Sequence, residues 1–258
     1  MTLDLFGRPA LLFLPASNPR AIAKARESAA DLVVLDLEDA VKAEDKDRAR
    51  AEAVEAVAGG WPMPVGIRVN GIGSRHHVAD LAAALVSDCD FVVVPMVGMP
   101  LEISGKPVAA MIETAAGVLA APAIARSVAA LIVGTNDLSY DLRLPAFDRS
   151  AVSASLQLAV LAARAAGIAV FDGVYNQLDD AAGLEAQAHE GRAFGFDGKS
   201  LIHPDQIAVT RAAFAPTEAE IARAERLVAA ATGGAERFEG AMIEDLHVAA
   251  ARRLLGRR

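Results

Sequence analysis

Short runs of branched aliphatic residues alternate along the chain with longer, alanine-rich stretches. Continuous apolar runs are typical of parallel strands covered on both faces, and the stretches between them contain good helix formers, so the alternation predicts an α/β fold. There are eight such runs, at residues 11–16, 32–38, 65–70, 91–97, 108–114, 130–137, 168–174 and 193–202. Eight strands with helical crossovers in about 200 residues predict a (β/α)8 TIM barrel.

One crossover is too short to contain a packed helix. The ten residues between Val97 and Val108 include two prolines and two glycines, so helix four is predicted to be reduced to a turn. Beyond the eighth strand, the pattern predicts helices from about residue 203, from 216 to about 231, and from 240 to 255. We therefore expect a barrel catalytic domain over residues 1–215 and a C-terminal helical extension over residues 216–258.

Composition and charge exclude several functional classes. The chain has 33 acidic residues against 25 Lys and Arg, giving a net charge of −8, and these charges are interspersed, which disfavours a nucleic-acid partner. Cys89 is the only cysteine, which is typical of a reducing compartment. The start of the chain has a short apolar run without a basic cluster, so we expect no export signal, no membrane partner and a cytoplasmic location.

Polar side chains end most of the predicted strands. In a barrel of this kind the active site is built at the carboxyl ends of the strands, and one carboxylate there is usually a helix cap. Here the pattern recurs on six strands, with the residues Asp36, Glu38, Asp39, Arg68, Asn70, Glu113, Thr114, Asn136, Asp137, Asp172, Asp197 and Lys199. The recurrence predicts an acidic active site at this end of the barrel.

Crowded carboxylates repel one another unless a cation lies among them, so the pattern indicates a divalent metal. Oxygen ligands without cysteine and with few histidines favour Mg²⁺, with Mn²⁺ as an alternative, over zinc. Arg68 lies inside an apolar run and needs an anionic partner. That partner is either a structural carboxylate or a carboxylate or enolate oxygen of a substrate, and we favour the substrate.

Several motifs resemble one known family. LFLPASNPRAIAKA, VVLDLEDAV, IRVNG, MIET, GTNDL and above all GFDGKSLIHPDQI resemble the beta subunit of citrate lyase and its stand-alone relatives. These relatives are the Mg²⁺-dependent citryl-, malyl- and citramalyl-CoA lyases of the aldolase/citrate lyase superfamily. The resemblance runs from Arg8 to about Leu255 and implies the same (β/α)8 fold.

The resemblance also implies roles for individual residues. Glu113 and Asp137 match the two carboxylates that ligate Mg²⁺, and Arg68 matches the arginine that holds the substrate and the developing enolate. Glu38 and Asp39 match an acidic pair near the metal. We expect Asn70, Thr114 and Arg8 to contact the substrate as well.

A C-terminal motif implies that subunits share sites. The malyl-CoA-type lyases carry an aspartate in a MID motif that reaches a neighbouring subunit's site, and here the matching stretch is Met242-Ile243-Glu244-Asp245. Either Glu244 or Asp245 is the expected acid/base group. The resemblance suggests a homotrimer.

Two departures concern the wall that would face CoA and the turn that approaches the substrate. Met96 stands where the family usually has a lysine after the proline of strand four, and Ala16 stands where a glycine is usual after strand one. Together with the short fourth crossover, Met96 leaves open whether CoA is bound.

The expected function is Mg²⁺-dependent cleavage of a 3-hydroxy dicarboxylic acyl-CoA thioester to acetyl-CoA, or a homologue, and an oxo-acid. A class II pyruvate aldolase acting on a free hydroxy-oxo acid is the enzymatic alternative, although that group usually has a histidine where Asp39 stands. A non-catalytic scaffold subunit of a lyase complex is the third possibility. The acyl group is not identified by the sequence.

Overall fold

A computed structural model describes residues 3–146 and 148–256 of the chain. It divides into two compact units, Met1–Ala213 and Phe214–Arg258.

The first unit is a closed barrel of eight parallel strands, as the apolar runs predict. Each strand pairs with the next along the chain, and the eighth pairs with the first. The strands are β1 (Ala10–Pro15), β2 (Leu32–Asp36), β3 (Val65–Arg68), β4 (Phe91–Val94), β5 (Val108–Ile112), β6 (Ala130–Val133), β7 (Ala169–Asp172) and β8 (Gly198–Leu201).

Helices surround the barrel on every crossover except the fourth. They are α1 (Pro19–Arg26), α2 (Lys46–Ala58), α3 (His77–Val86), α4 (Ala115–Ile124), α5 (Thr135–Asp141), α6 (Arg149–Ala166) and α7 (Ala181–Phe194), followed by α8 (Gln206–Phe214). The residues described between β4 and β5 contain no helix. The prediction of a reduced fourth helix is therefore confirmed.

The prediction for the eighth strand was wrong at its beginning. Ala193 and Phe194 belong to α7, and the residue that caps this helix, Gly195, has a positive φ of 99°. Glycine adopts this left-handed conformation without the steric cost of a Cβ, so it ends the helix here. The strand then begins at Gly198.

Alternate residues of the strands fill the barrel interior. Leu11, Val34, Met111, Ile132 and Phe171 belong to one buried cluster, as expected from the two-residue period of a strand. This packed layer closes the interior below the carboxyl ends of the strands.

The second unit folds around its own small core. Helix α9 (Glu218–Ala230) is followed by a two-stranded hairpin of β9 (Glu236–Phe238) and β10 (Ala241–Ile243), and then by α10 (Asp245–Leu255). Its buried residues are Ala224, Leu227, Ile243, Val248 and Ala251. The predicted helix over residues 240–255 therefore starts too early, because its first apolar residues belong to the hairpin.

No helix in the described parts of the chain is long and apolar enough to cross a lipid bilayer.

Candidate active site

A cavity of about 440 Å³ opens at the carboxyl ends of the strands. Its wall contains the apolar side chains of Phe13 and Met111 and the charged side chains of Asp36, Arg68 and Asp137. A mixed wall of this kind, mostly apolar with a few convergent charges, is typical of small-molecule sites.

The side chain of Arg68 is held in place by the carboxylate of Asp36. The Arg68 Nε and Nη2 atoms each donate a hydrogen bond of 2.6 Å to one oxygen of the Asp36 carboxylate. Both residues are buried, at 8% and 1% exposure. Burial lowers the pKa of the guanidinium, but Asp36, Glu38 and Asp39 together raise it more, so its pKa lies above the ordinary value. Arg68 is therefore a fixed and permanently charged cation.

The third nitrogen of Arg68 faces the other acidic residues after β2. Its Nη1 atom lies 3.0 Å from Glu38 Oε2 and 3.6 Å from Asp39 Oδ2. Asp36 also accepts hydrogen bonds from the backbone nitrogens of Glu38, at 2.9 Å, and Ala40, at 3.0 Å. One buried carboxylate thus positions both the arginine and the acidic segment beside it.

Glu113 directly follows β5 and has one unpaired oxygen. Its Oε1 atom accepts a 2.6 Å hydrogen bond from the backbone nitrogen of Met96. Its Oε2 atom is buried and has no hydrogen-bond partner among the described residues. A Cβ at Gly134 would collide with this carboxylate, so the glycine leaves the space that Glu113 occupies.

Three carboxyl groups of the site have raised pKa values. Burial raises the pKa of Glu38 to about 8, although Arg68 partly opposes this. Burial also raises the pKa of Glu113 to about 7, and the charge of Asp137 adds to this effect. The pKa of Asp137, in the first turn of α5, is raised by partial burial and by Asp39. Burial is the largest cause of all three shifts, and neighbouring carboxylates add to each of them.

The donor set fits a hard divalent cation bound by few protein ligands. Within residues 3–146 and 148–256, no group of three or more Asp, Glu, His or Cys residues is arranged to hold a metal by itself. Mg²⁺ is usually bound through one or two carboxylates and keeps several water or substrate ligands. The unpaired oxygen of Glu113, with the charge of Asp137 near it, matches this kind of binding.

Two of the residues expected to contact the substrate, Asn70 and Thr114, form hydrogen bonds within the protein. The side-chain nitrogen of Asn70 donates to Leu37 O and to Asp80 Oδ2, at 2.9 and 2.5 Å, so this amide is engaged in internal hydrogen bonds. Thr114 caps α4 by accepting a 3.0 Å hydrogen bond from Gly117.

Arg8 is not brought to the cavity. It precedes β1, at the amino end of the barrel, where it donates to the carbonyl oxygens of Asp4 and Asp31 at 2.9 and 3.3 Å. Its place at the start of a strand, rather than the end, separates it from the other expected site residues.

Glu244 and Asp245 lie in the second unit, at the start of α10. Glu244 is the N-cap of this helix and forms a capping box with His247, whose Nδ1 accepts a 2.9 Å hydrogen bond from the Glu244 nitrogen. Asp245 Oδ1 accepts a 3.2 Å hydrogen bond from Gly234. Both residues therefore have local structural contacts in this unit.

Some strand residues expected at the mouth face elsewhere. Asp172 and Lys199 point outward from β7 and β8, where the Lys199 ammonium contacts Asp172 at 3.1 Å and Gln187 of α7 at 2.6 Å. Asp197 precedes β8 and pairs with Arg164 at 2.9 Å. The expectation was wrong for these three residues because Asp172 and Lys199 lie on the outward faces of their strands, and Asp197 lies before β8 begins.

Sequence reasoning missed the backbone of Met96. Its φ is +55°, an uncommon left-handed conformation for a residue with a side chain, and its N–H is the donor to Glu113. Nothing in the residue type indicates this role, because it depends on the turn after β4.

The chain matches a family model described as HpcH/HpaI aldolase/citrate lyase over residues 9–105 and 102–204. A (3S)-malyl-CoA thioesterase of Cereibacter sphaeroides is 38% identical, covering 96% of this chain and 93% of the relative. A citrate lyase subunit beta-like protein of Deinococcus radiodurans is also 38% identical, covering 95% of both chains.

The fold is also similar to solved structures. The crystal structure of CitE from Mycobacterium tuberculosis, in complex with magnesium, acetoacetate and coenzyme A, has a TM-score of 0.87 and 32% identity, covering 99% of both chains. A second structure of the M. tuberculosis citrate lyase beta subunit contains oxaloacetate and magnesium, with a TM-score of 0.74 and 31% identity, covering 84% of this chain and all of that one. The resemblance carried by the motifs is thereby confirmed: the chain belongs to the HpcH/HpaI aldolase/citrate lyase family.

Proposed function

We propose that this protein is a Mg²⁺-dependent carbon–carbon lyase. Its substrate would be a 3-hydroxy dicarboxylic acyl-CoA thioester of the citramalyl-, malyl- or citryl-CoA type, and its products acetyl-CoA, or a homologue, and an oxo-acid. The observation that carries the proposal is the fixed Arg68 guanidinium in one site with the unpaired oxygen of Glu113. Cleavage of this kind needs both a metal-bound hydroxyacid and a cation for the enolate.

Glu113 and Asp137 are the residues that would hold Mg²⁺, with Mn²⁺ as an alternative. Their raised pKa values are consistent with carboxylates gathered around a cation position. When bound, the ion lowers the pKa of the substrate hydroxyl and polarises the forming carbonyl. The magnesium in the CitE structures supports the choice of ion.

Arg68 is the group that would stabilise the thioester enolate. When the bond between the carbinol carbon and the α-carbon breaks, its electron pair remains on the α-carbon and delocalises to the thioester oxygen. A preorganised guanidinium reduces the free energy of that developing charge. Asp36 holds Arg68 at two points and acts as a positioning residue.

Glu38 and Asp39 are proposed as the acid/base pair inside this chain. Lysis removes a proton from the substrate hydroxyl and delivers one to the α-carbon of acetyl-CoA. Because its pKa is about 8, the Glu38 carboxyl can hold and release a proton near neutral pH.

Thioester hydrolysis is a second candidate, favoured by the 38% identity with the (3S)-malyl-CoA thioesterase. In that reaction the oxygen of water adds to the thioester carbon, the C–S bond breaks, and the CoA thiolate takes up a proton. The Arg68 guanidinium would stabilise the tetrahedral oxyanion in the same way.

A homotrimer with shared sites is proposed as well, with Glu244 or Asp245 as the acid/base group in a neighbour's site. Met242 and Leu246, on either side of these two residues, are 67% and 62% exposed. Exposed apolar residues of this size next to carboxylates are consistent with a covered surface in an assembly.

The proposal is tested by incubating the protein with a panel of CoA thioesters and Mg²⁺. Release of an oxo-acid, abolished by chelation of the metal, is the expected result. Release of free CoA thiol with no oxo-acid would support the thioesterase instead. A free hydroxy-oxo acid in the panel tests the aldolase, and the absence of CoA-ester binding by calorimetry would indicate the scaffold subunit.

A further inference from the structure

Ser200 lies on β8 with its side chain inside the barrel. Its partner in the strand pairing is Leu11, a residue of the interior cluster. The adjacent Lys199 faces outward to Gln187, so the alternation of strand side chains directs Ser200 inward. Ser200 also belongs to the wall of the cavity at the mouth, together with Arg68 and Asp137.

The hydroxyl of Ser200 has no hydrogen-bond partner among the described residues, although the residue is only 2% exposed. Thr135, in the same cavity wall, also has a buried hydroxyl without a partner. Buried polar groups are nearly always hydrogen-bonded. An apolar side chain of similar size at either position would therefore make the folded protein more stable. The cavity wall therefore offers donors that the folded chain does not use.

We propose that Ser200 is a substrate-binding residue whose hydroxyl donates a hydrogen bond to the oxo-acid half of the substrate. The acceptor is an oxygen that neither Arg68 nor the ion at Glu113 and Asp137 engages. This inference rests on the proposed function. It narrows the substrate class, because the part of the substrate that contacts Ser200 must carry an acceptor oxygen rather than a plain alkyl chain. A carboxylate supplies such an oxygen, since one of its two oxygens remains free when the other binds the cation.

Thr210 provides a matched control. It is fully buried at 0% exposure, and its hydroxyl likewise has no partner among the described residues. It lies on α8 and is absent from the cavity wall. Thr210→Val therefore removes an unpaired hydroxyl without touching the site.

The experiment measures pyruvate binding by calorimetry in the presence of Mg²⁺, together with the free energy of unfolding in urea. We expect Ser200→Ala to weaken pyruvate binding about tenfold, as for one lost hydrogen bond, with a free energy of unfolding that is unchanged or higher. Thr210→Val should also keep or raise stability and leave pyruvate binding unchanged. Ser200→Cys, with a weaker donor of similar size, should give an intermediate affinity.

Equal affinity of the wild type and Ser200→Ala for pyruvate would overturn the inference while leaving the proposed function in place. A loss of stability in Ser200→Ala, or the same loss of affinity in Thr210→Val, would also overturn it, because the hydroxyl would then have a structural role. If the wild type binds none of pyruvate, glyoxylate and oxaloacetate with Mg²⁺, which are the oxo-acids of the three substrate types, the proposed function fails and the role of Ser200 fails with it.

Discussion

The carboxylate of Asp36 accepts two hydrogen bonds of 2.6 Å from the guanidinium of Arg68, in the wall of the cavity. The last residue of β2 thus holds the last residue of β3. This leaves Arg68 Nη1 as the nitrogen directed to Glu38 and Asp39. A structural ion pair and a substrate-binding arginine are therefore compatible roles for the same side chain.

Asp36→Asn should destabilise the fold and impair the site together. Because it leaves the buried cation with one fewer charged partner, the free energy of unfolding should fall by about 2–4 kcal/mol, as measured by urea denaturation. Asp45→Asn is the control, since Asp45 pairs with the exposed Arg48 and its loss should change stability little. An Asp36→Asn protein as stable and active as the wild type would contradict the positioning role.

Glu113→Gln should weaken Mg²⁺ binding strongly and abolish turnover while the fold remains intact. A neutral amide cannot replace a charged ligand, and the variant also removes a buried carboxylate whose pKa is raised to about 7. The metal-free variant should therefore be at least as stable as the metal-free wild type at pH 8. Titration calorimetry and urea denaturation measure both effects. Unchanged Mg²⁺ affinity would remove Glu113 from the metal site.

Mg²⁺ affinity should rise with pH between 6 and 8. The carboxyl of Glu113 must lose its proton to bind the ion, and the metal-free protein holds that proton with a pKa of about 7. Protons therefore compete with the ion below pH 7, and affinity should be about tenfold weaker at pH 6 than at pH 8. In the metal-free protein the same raised pKa stabilises the fold at low pH, and this contribution is lost as pH rises from the ordinary pKa of 4.5 through about 7. Calorimetry at several pH values checks the first effect, and a flat profile would argue against it.

Arg68→Lys should lose most of kcat. Lysine keeps the positive charge but cannot reproduce the two-point contact with Asp36, and the loss of transition-state stabilisation should be about 2–4 kcal/mol, as for an oxyanion donor. Steady-state kinetics with the active thioester measures kcat and KM separately. If KM alone rises, Arg68 binds the substrate and the transition state equally.

Two inactive variants should restore activity when mixed if sites are shared between subunits. Arg68→Ala damages the barrel site, whereas a chain truncated before Gly240 lacks Glu244 and Asp245. Mixed oligomers would contain some sites with an intact barrel and an intact tail, provided that subunits exchange. A monomer by light scattering, or a truncated protein with full activity, would contradict the shared site.

The barrel was predictable because its signal is repeated along the chain. Eight apolar runs each indicate a buried strand, and an error at the start of β8 does not change the count. The proximity of Arg68 and Glu38 was predictable for a related reason, since the carboxyl ends of parallel strands converge at one mouth.

The remaining features depend on details that the pattern does not encode. Asp172 and Lys199 face outward because each is next to an inward-facing residue, Phe171 and Ser200 respectively, and successive strand side chains point to opposite faces. The backbone of Met96 contacts Glu113 through a turn with a positive φ. The strands β9 and β10 have only three residues each. Their apolar residues therefore give no recognisable strand pattern and are predicted as the start of α10.

The most direct test of the lyase proposal is the ratio of oxo-acid to free CoA thiol formed from malyl-CoA in the presence of Mg²⁺. The two products are measured in one reaction, with Glu113→Gln and a chelated sample as controls. We predict one equivalent of glyoxylate and of acetyl-CoA for each malyl-CoA consumed, with no free thiol. One equivalent of free thiol and of malate, without glyoxylate, would contradict carbon–carbon cleavage and establish thioester hydrolysis in its place.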